Sequence, residues 1–202
     1  MRSRVAAIAV AGLFLGGSAV TAAAQPIVLQ PGDAMRLQVK NEPRLSGQFS
    51  VAPEGNVLLP LVGLIRVADR PFNEVQAELA TLYEVELAEP EFLATPLIRV
   101  TVTGEVRSPG LRYAEPTISL AEVIAMSGGP ITTAKRSRVD LIRGGQRRSL
   151  DASPGSPDLA MRPLSGDELY VPRRSWVSDN LPILIGAAAS VAAAAVTTLI
   201  IR

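Results

Sequence analysis

Carboxylates at two similar turns are the residues of this sequence best suited to chemistry. Asp33 follows Pro31-Gly32 and Asp167 follows Ser165-Gly166, each just before an apolar strand. Asp167 is followed by Glu168, and paired carboxylates can act as acid and base in glycoside hydrolysis. Adjacent residues on a strand point to opposite faces, which argues against that pairing. We therefore interpret both Asp residues as turn residues that bond to nearby backbone, rather than as a metal or sugar site.

The composition excludes several classes of catalytic and metal site. The 202 residues include no Cys and no His, which excludes disulfides, thiolate zinc sites, Cys nucleophiles and His bases. Aromatic residues make up 4% of the chain, so few platforms exist on which a sugar could stack. With a formal net charge of +1, the chain gives no general argument for nucleic-acid binding. We predict no enzyme, no cofactor and no metal.

Six cations flank a predicted turn at Gly144-Gly145 and are the main candidates for contact with a charged partner. If they share a face, they could meet an acidic glycan or a lipid headgroup. The alternative is the solvated surface of a hairpin. The six are Lys135, Arg136, Arg138, Arg143, Arg147 and Arg148.

The N-terminal segment has the pattern of a secretory signal. Arg2 and Arg4 supply the charged region, and an apolar run follows from Val5 to Leu15. Small residues at 22–24 are suited to a cleavage site. We predict a signal peptide over residues 1–24, with an uncleaved anchor as the alternative.

The C-terminal segment from Leu181 to Ile201 contains no charged residue. At 1.5 Å per residue, its roughly 21 residues would form a helix about 31 Å long, the thickness of a bilayer core. The predicted interfacial anchors are Arg173, Arg174, Trp176 and Arg202. Small residues on one face of the helix predict a seam between helices or the wall of a pore. These are Gly186, Ser190, Ala193 and Thr197. A lone anchor and a buried soluble helix are the alternatives.

Two small β-rich segments, each with one helix, are predicted between these ends. In the first, alternating apolar residues predict a strand and residues at helical spacing a helix. The strand residues are Met35, Leu37 and Val39; the helix residues are Phe72, Val75, Leu79 and Leu82. Between them, Val57–Gly63 is predicted to be a buried apolar run.

In the second segment, the alternation of Ile98, Val100 and Val102 predicts a half-buried strand. Ser119 and Glu122 have the spacing of a capping box, so a short helix should begin there. Residues 151–163, rich in Pro and Ser, are predicted to form a loop.

Several sequence motifs in these segments resemble known families. The stretch LQPGDAMRLQVKNEPRLSGQFSVAPEGNVLLPLVGLIRV, Leu29 to Val67, resembles the N-terminal domain of the Wza-type outer-membrane polysaccharide biosynthesis/export family. GEVRSPG, SLAEVIAMSGG, VDLIRGGQ and LSGDELYVP follow in order between Gly104 and Pro172. Together they resemble one SLBB domain, the soluble ligand-binding β-grasp fold.

The resemblance implies an α+β chain with a small export domain, a β-grasp (SLBB) domain and a single C-terminal transmembrane α-helix. The expected bounds are 1–24 for the signal peptide, 25–98 for the export domain, 99–173 for the SLBB domain and 181–201 for the membrane helix. The chain departs from the family in having no Cys for lipidation and one recognisable SLBB domain.

The resemblance also implies a function in transport. Copies would form a homo-oligomeric ring that exports capsular or exopolysaccharide across the outer membrane, with the body in the periplasm. The implied partners are the polysaccharide cargo, membrane lipid and an inner-membrane polysaccharide co-polymerase, with no nucleic acid. The alternative is an inner-membrane-anchored periplasmic adaptor that binds glycan or a partner of the same machinery.

Overall fold

The described residues form a seven-stranded mixed sheet, a separate two-stranded hairpin and two α-helices. The structure is a computed structural model that describes residues 26–87 and 91–175, together with residue 185. Its strands are β1 (Ala34–Val39), β2 (Gly47–Ser50), β3 (Asn56–Leu59), β4 (Gly63–Arg66), β5 (Phe92–Gly104), β6 (Gly110–Ala114), β7 (Arg138–Arg143), β8 (Gln146–Asp151) and β9 (Asp167–Val171). Its α-helices are α1 (Phe72–Glu86) and α2 (Leu120–Met126). The predicted α+β class is confirmed.

The long strand β5 connects the two β-rich segments. Its first half, Phe92–Leu97, pairs antiparallel with β1. Its second half pairs antiparallel with β6 over Ile98–Val102 and parallel with β9 over Val100–Gly104. The sheet therefore runs β2-β1-β5-β9-β7-β8, with β6 paired to β5. The predicted inward face is confirmed, because Ile98, Val100 and Val102 are all buried.

Helix α1 packs the separate β3–β4 hairpin against this sheet. The Tyr83 hydroxyl donates to the Pro60 carbonyl at 3.0 Å, and the Tyr83 ring lies 5.6 Å from that of Phe92. The Gln76 side-chain amide donates to the Ala94 carbonyl at 2.8 Å. Burial raises the pKa of Tyr83. Helix, hairpin and β5 therefore share one core.

The predicted Val57–Gly63 run is partly wrong. It forms β3 and a turn into β4, in which Leu58 lies opposite Leu64. Val57 and Leu59 are buried, but Leu58, Leu61 and Leu64 are 67%, 55% and 70% exposed. A hairpin exposes alternate side chains, whereas a single strand covered on both faces would bury all of them.

The capping box at the start of α2 is confirmed. The Ser119 hydroxyl accepts from the Glu122 backbone N–H at 3.3 Å, and the Glu122 carboxylate accepts from the Ser119 N–H at 2.7 Å. The predicted loop of residues 151–163 is corrected, since it contains a short 3-10 helix at Pro157–Ala160. Ser156 caps this helix and Pro157 begins it, so the Ser and Pro residues favour a turn of helix here.

Several predicted features lie outside the described residues. They are the signal peptide at 1–24, the membrane helix at 181–201 with its seam residues Gly186, Ser190, Ala193 and Thr197, and the anchors Trp176 and Arg202. Among the residues that the structure describes, no helix has the length and apolar character needed to cross a membrane.

Candidate functional site

The buried carboxylate of Asp33 joins the two β-rich segments. Asp33 is fully buried, and its Oδ2 accepts the backbone N–H of Gln30 at 2.8 Å. Its Oδ1 accepts the backbone N–H of Arg99 at 2.9 Å and the hydroxyl of Ser165 at 2.6 Å. These donors are neutral groups, and together they satisfy a carboxylate that would otherwise be costly to bury.

Arg99, in the middle of β5, is the meeting point of the two Gly-Asp turns. Its N–H donates to Asp33, and its carbonyl accepts the backbone N–H of Gly166 at 2.9 Å. Gly32 has a φ of +90°, and a Cβ there would lie 2.3 Å from the Arg99 guanidinium. The backbone conformation is what favours glycine here, because residues with a side chain rarely adopt it. Asp33, Arg99, Ser165 and Gly166 are called the β5 joint below.

Asp167 occupies the second turn and pairs with a cation. It is 1% exposed, and its carboxylate accepts hydrogen bonds from Nε of Arg143 at 2.8 Å and from Nη2 at 2.7 Å. The hydrogen bonds to Asp167 raise the pKa of Arg143. Asp167 also accepts the Leu164 N–H three residues earlier, as Asp33 accepts that of Gln30. The interpretation of both Asp residues as turn residues is confirmed.

Four of the six predicted cations face acidic side chains rather than one common surface. Arg143 pairs with Asp167, as described above. Arg138 and Arg147 both contact the buried Asp140, at 2.8 Å and 3.9 Å. Arg148 lies 3.9 Å from Asp158. The Arg147 guanidinium also lies 5.6 Å from the centre of the Tyr170 ring.

Lys135 and Arg136 differ from these four because no salt bridge to them is found within residues 26–87 and 91–175. Both line an apolar groove of about 200 Å³ beside α2, whose wall includes Ile124 and Leu159. Arg136 also lines a cleft of about 290 Å³ together with Arg174.

The backbone brings these two cations next to the predicted anchors Arg173 and Arg174. Ala134 and Arg173 form an isolated β-bridge. The Arg174 N–H donates to the Thr133 carbonyl at 2.7 Å, and the Lys135 N–H to the Pro172 carbonyl at 2.8 Å. Sequence reasoning treated the two sets of cations separately, because no local signal indicates that the 133–136 loop folds back onto the end of β9. In the described part of the chain, no group of three or more His, Cys, Asp or Glu side chains is placed so that it could hold a metal ion.

Comparisons with known proteins identify both segments. The family described as polysaccharide biosynthesis/export protein matches residues 21–110, and the SLBB domain family matches residues 99–151. The two matches overlap over residues 99–110, which begin at Arg99 of the β5 joint.

Individual relatives agree with these matches. The polysialic acid transport protein KpsD of Escherichia coli is 31% identical over 150 residues, which are 69% of this chain and 27% of KpsD. The EPS I polysaccharide export outer membrane protein EpsA of Ralstonia nicotianae is 32% identical over 114 residues, which are 54% of this chain and 30% of EpsA. The chain thus spans less than a third of the length of these curated relatives. The order of domains and the shared sequence place the chain in the polysaccharide biosynthesis/export protein family, with an SLBB domain following its export domain.

Proposed function

We propose that this protein is a polysaccharide export component whose copies form a ring, through which capsular or exopolysaccharide crosses the outer membrane. The observation that carries this proposal is the joining of export and SLBB segments through β5, with the buried Asp33 carboxylate at the junction. Two segments that share one strand suit a ring subunit, because the shared strand fixes how the surfaces of both segments are presented to neighbouring copies. The function needs no covalent chemistry.

The proposed layout follows the order of the chain. Residues 1–24 direct export, residues 25–98 and 99–173 form the export and SLBB domains, and residues 181–201 cross the membrane. Gly186, Ser190, Ala193 and Thr197 form a seam between neighbouring helices or the wall of the pore. A polar path is required because a sugar polymer in hydrocarbon would lose its hydrogen bonds to water.

The exposed leucines of the β3–β4 hairpin support self-association. Leu58 and Leu64 face each other across the hairpin and Leu61 lies at its turn, all more than half exposed. A cluster of large apolar side chains on a surface is typical of a contact with another protein. In a ring, this patch would meet a different surface of the next copy, because ring contacts are heterologous.

The partners and location follow from the same proposal. The cargo is a polysaccharide, and the ring receives it from an inner-membrane co-polymerase. EpsA is named as an outer membrane protein, which supports an outer-membrane location for this chain, with its body in the periplasm.

The experiment is a mass measurement with particle imaging on the mature protein extracted in detergent. A ring of several copies is expected. The double variant Leu58→Gln/Leu64→Gln should release smaller species while remaining folded, because both side chains are exposed. Val85→Gln, which changes an 80% exposed apolar residue on α1, is the matched control and should leave the ring intact. Wild-type protein that stays a monomer at high concentration would contradict the proposal.

A second candidate is a periplasmic adaptor anchored in the inner membrane. The cleft between Arg136 and Arg174 favours it, because two guanidinium groups suit an acidic glycan or protein. Membrane fractionation separates the two candidates, since the adaptor requires the protein in the inner membrane.

A further inference from the structure

Two sets of cations, distant in the sequence, come together at the end of β9 through backbone contacts. Lys135 and Arg136 come from the loop after α2, and Arg173 and Arg174 follow β9 after Pro172. We call these four residues the basic face. The β-bridge between Ala134 and Arg173 and the two backbone hydrogen bonds beside it hold the sets together.

The basic face combines a polar depression with an apolar one. Arg136 and Arg174 line the cleft of about 290 Å³, where two guanidinium groups present donors suited to the oxygens of a phosphate. Arg136 also lines the groove of about 200 Å³, whose other walls include Ile124 and Val139. Because one residue borders both depressions, a charged group in the cleft would lie beside apolar surface.

Acidic side chains around the basic face have partners of their own. Glu105 is the acidic residue bonded to the loop, through the Thr133 hydroxyl. Asp140 and Asp158, each next in the chain to a residue that lines the groove, contact Arg138 and Arg148.

The chain that follows the basic face limits where this face can lie. Residues 175–180 separate Arg174 from the charge-free segment that begins at Leu181. An extended chain reaches about 3.5 Å per residue, so these six residues span at most about 21 Å. If residues 181–201 enter a bilayer, as proposed above, the basic face lies within reach of the headgroup layer.

We propose that the basic face binds the phosphate headgroups of an anionic lipid surface. The phosphate lies in the cleft that Arg136 and Arg174 line, and the adjoining groove, which Lys135 also lines, contacts the upper part of an acyl chain. This inference rests on the proposed function only in placing the protein at a membrane.

Vesicle flotation of the full chain tests this inference. Wild-type protein is mixed with vesicles of phosphatidylcholine alone or of phosphatidylcholine with 30% phosphatidylglycerol, at low and high salt. Each cation near an anionic surface contributes roughly fivefold to partitioning, so Lys135→Gln/Arg136→Gln should lower partitioning onto the anionic vesicles about 25-fold. Arg147→Gln/Arg148→Gln removes the same charge from the β8 strand and should change partitioning less than threefold.

The outcomes separate this inference from the proposed ring. Protein that forms rings in detergent but binds both vesicle types equally would overturn the lipid contact alone. Protein that prefers anionic vesicles but stays a monomer would overturn the ring alone. Equal losses in the two double variants would show a general charge effect and overturn the assignment to this face. A soluble acidic polysaccharide that binds through Lys135 and Arg136, without any preference for anionic vesicles, would assign the face to glycan instead.

Discussion

Asp33 and Asp167 lie in the same kind of turn but are satisfied by different partners. Each follows a glycine of positive φ, begins or immediately precedes a strand, and accepts the backbone N–H of the residue three positions earlier. Asp33 then bonds to a backbone N–H and a hydroxyl from the other segment. Asp167 bonds to a guanidinium.

The different partners of Asp33 and Asp167 show which parts of the chain each carboxylate connects. Neutral donors on Arg99 and Ser165 fix the export segment to the SLBB segment, so Asp33 acts between segments. Arg143 lies on β7, so Asp167 fixes the neighbouring hairpin within the SLBB segment. The same kind of turn thus connects two segments of the chain at Asp33, whereas at Asp167 it fixes one hairpin within a single segment.

The largest expected effect is that of Asp33→Ala. The change leaves three partly buried donors without their acceptor, which should lower the free energy of unfolding by about 4 kcal/mol. Urea unfolding in detergent, followed by circular dichroism, measures it. A loss below about 1 kcal/mol would show that Asp33 does not join the segments.

Arg143→Ala should have the next largest effect. It should lower the free energy of unfolding by about 3 kcal/mol, because it leaves the Asp167 carboxylate buried without its cation. Arg148→Ala is the matched control: its contact to Asp158 is long and exposed, so its loss should stay below about 0.5 kcal/mol. The same unfolding experiment compares the two variants. Equal losses of unfolding free energy in the two variants would mean that burial of the carboxylate does not determine how much its ion pair stabilises the fold.

Ser165→Ala sharpens the comparison at the β5 joint. It removes one of the three donors to Asp33 and leaves the carboxylate in place, which should lower the free energy of unfolding by about 1 kcal/mol. Thermal or urea unfolding is sensitive enough to resolve this. A loss of unfolding free energy as large as that of Asp33→Ala would indicate that the Ser165 hydroxyl, rather than the backbone N–H groups, provides most of the stabilisation by Asp33.

Replacement of the exposed Glu122 by Gln should have the smallest effect on stability, and this effect should depend on pH. Hydrogen bonds from the backbone and side chain of Ser119 lower the pKa of Glu122 below its ordinary value of 4.5. A lowered pKa in the folded state stabilises the fold above the unfolded pKa, and this contribution is lost as the pH falls through the folded value. Glu122→Gln keeps an oxygen for the cap, so the difference in urea midpoint between wild type and variant should be present at pH 7 and shrink as the pH falls below 4.5. A difference that is constant with pH would contradict the capping role of the charge.

Local patterns predicted much of the fold. The capping box of Ser119 and Glu122 and the turn role of Asp33 were predicted correctly, because each depends on residues within four positions. The partners of Asp33 were not predicted, since Arg99 and Ser165 lie 66 and 132 residues away and only the sheet topology brings them there. The apolar run at Val57–Gly63 misled for a different reason: its turn uses Leu61 at a φ of 65°, where glycine or asparagine is usual.

The predicted cationic cluster shows the same limit. The sequence placed six cations near Gly144-Gly145, but Asp158 and Asp167, later in the chain, face two of them. Arg173 and Arg174, predicted as anchors for another reason, also pair through the backbone with the loop that carries Lys135 and Arg136. Charge along a chain does not indicate which acids will fold against it.

Secretion of polysaccharide by cells tests the central claim most directly. Cells that lack this protein would be supplied either with the full chain or with a chain ending at Ser175, and surface and secreted glycan would be measured at matched protein levels. The full chain should restore secretion, and the shortened chain should accumulate as folded protein without restoring it, because no segment would line the path through the bilayer. Normal secretion with the shortened chain would contradict the proposed conduit.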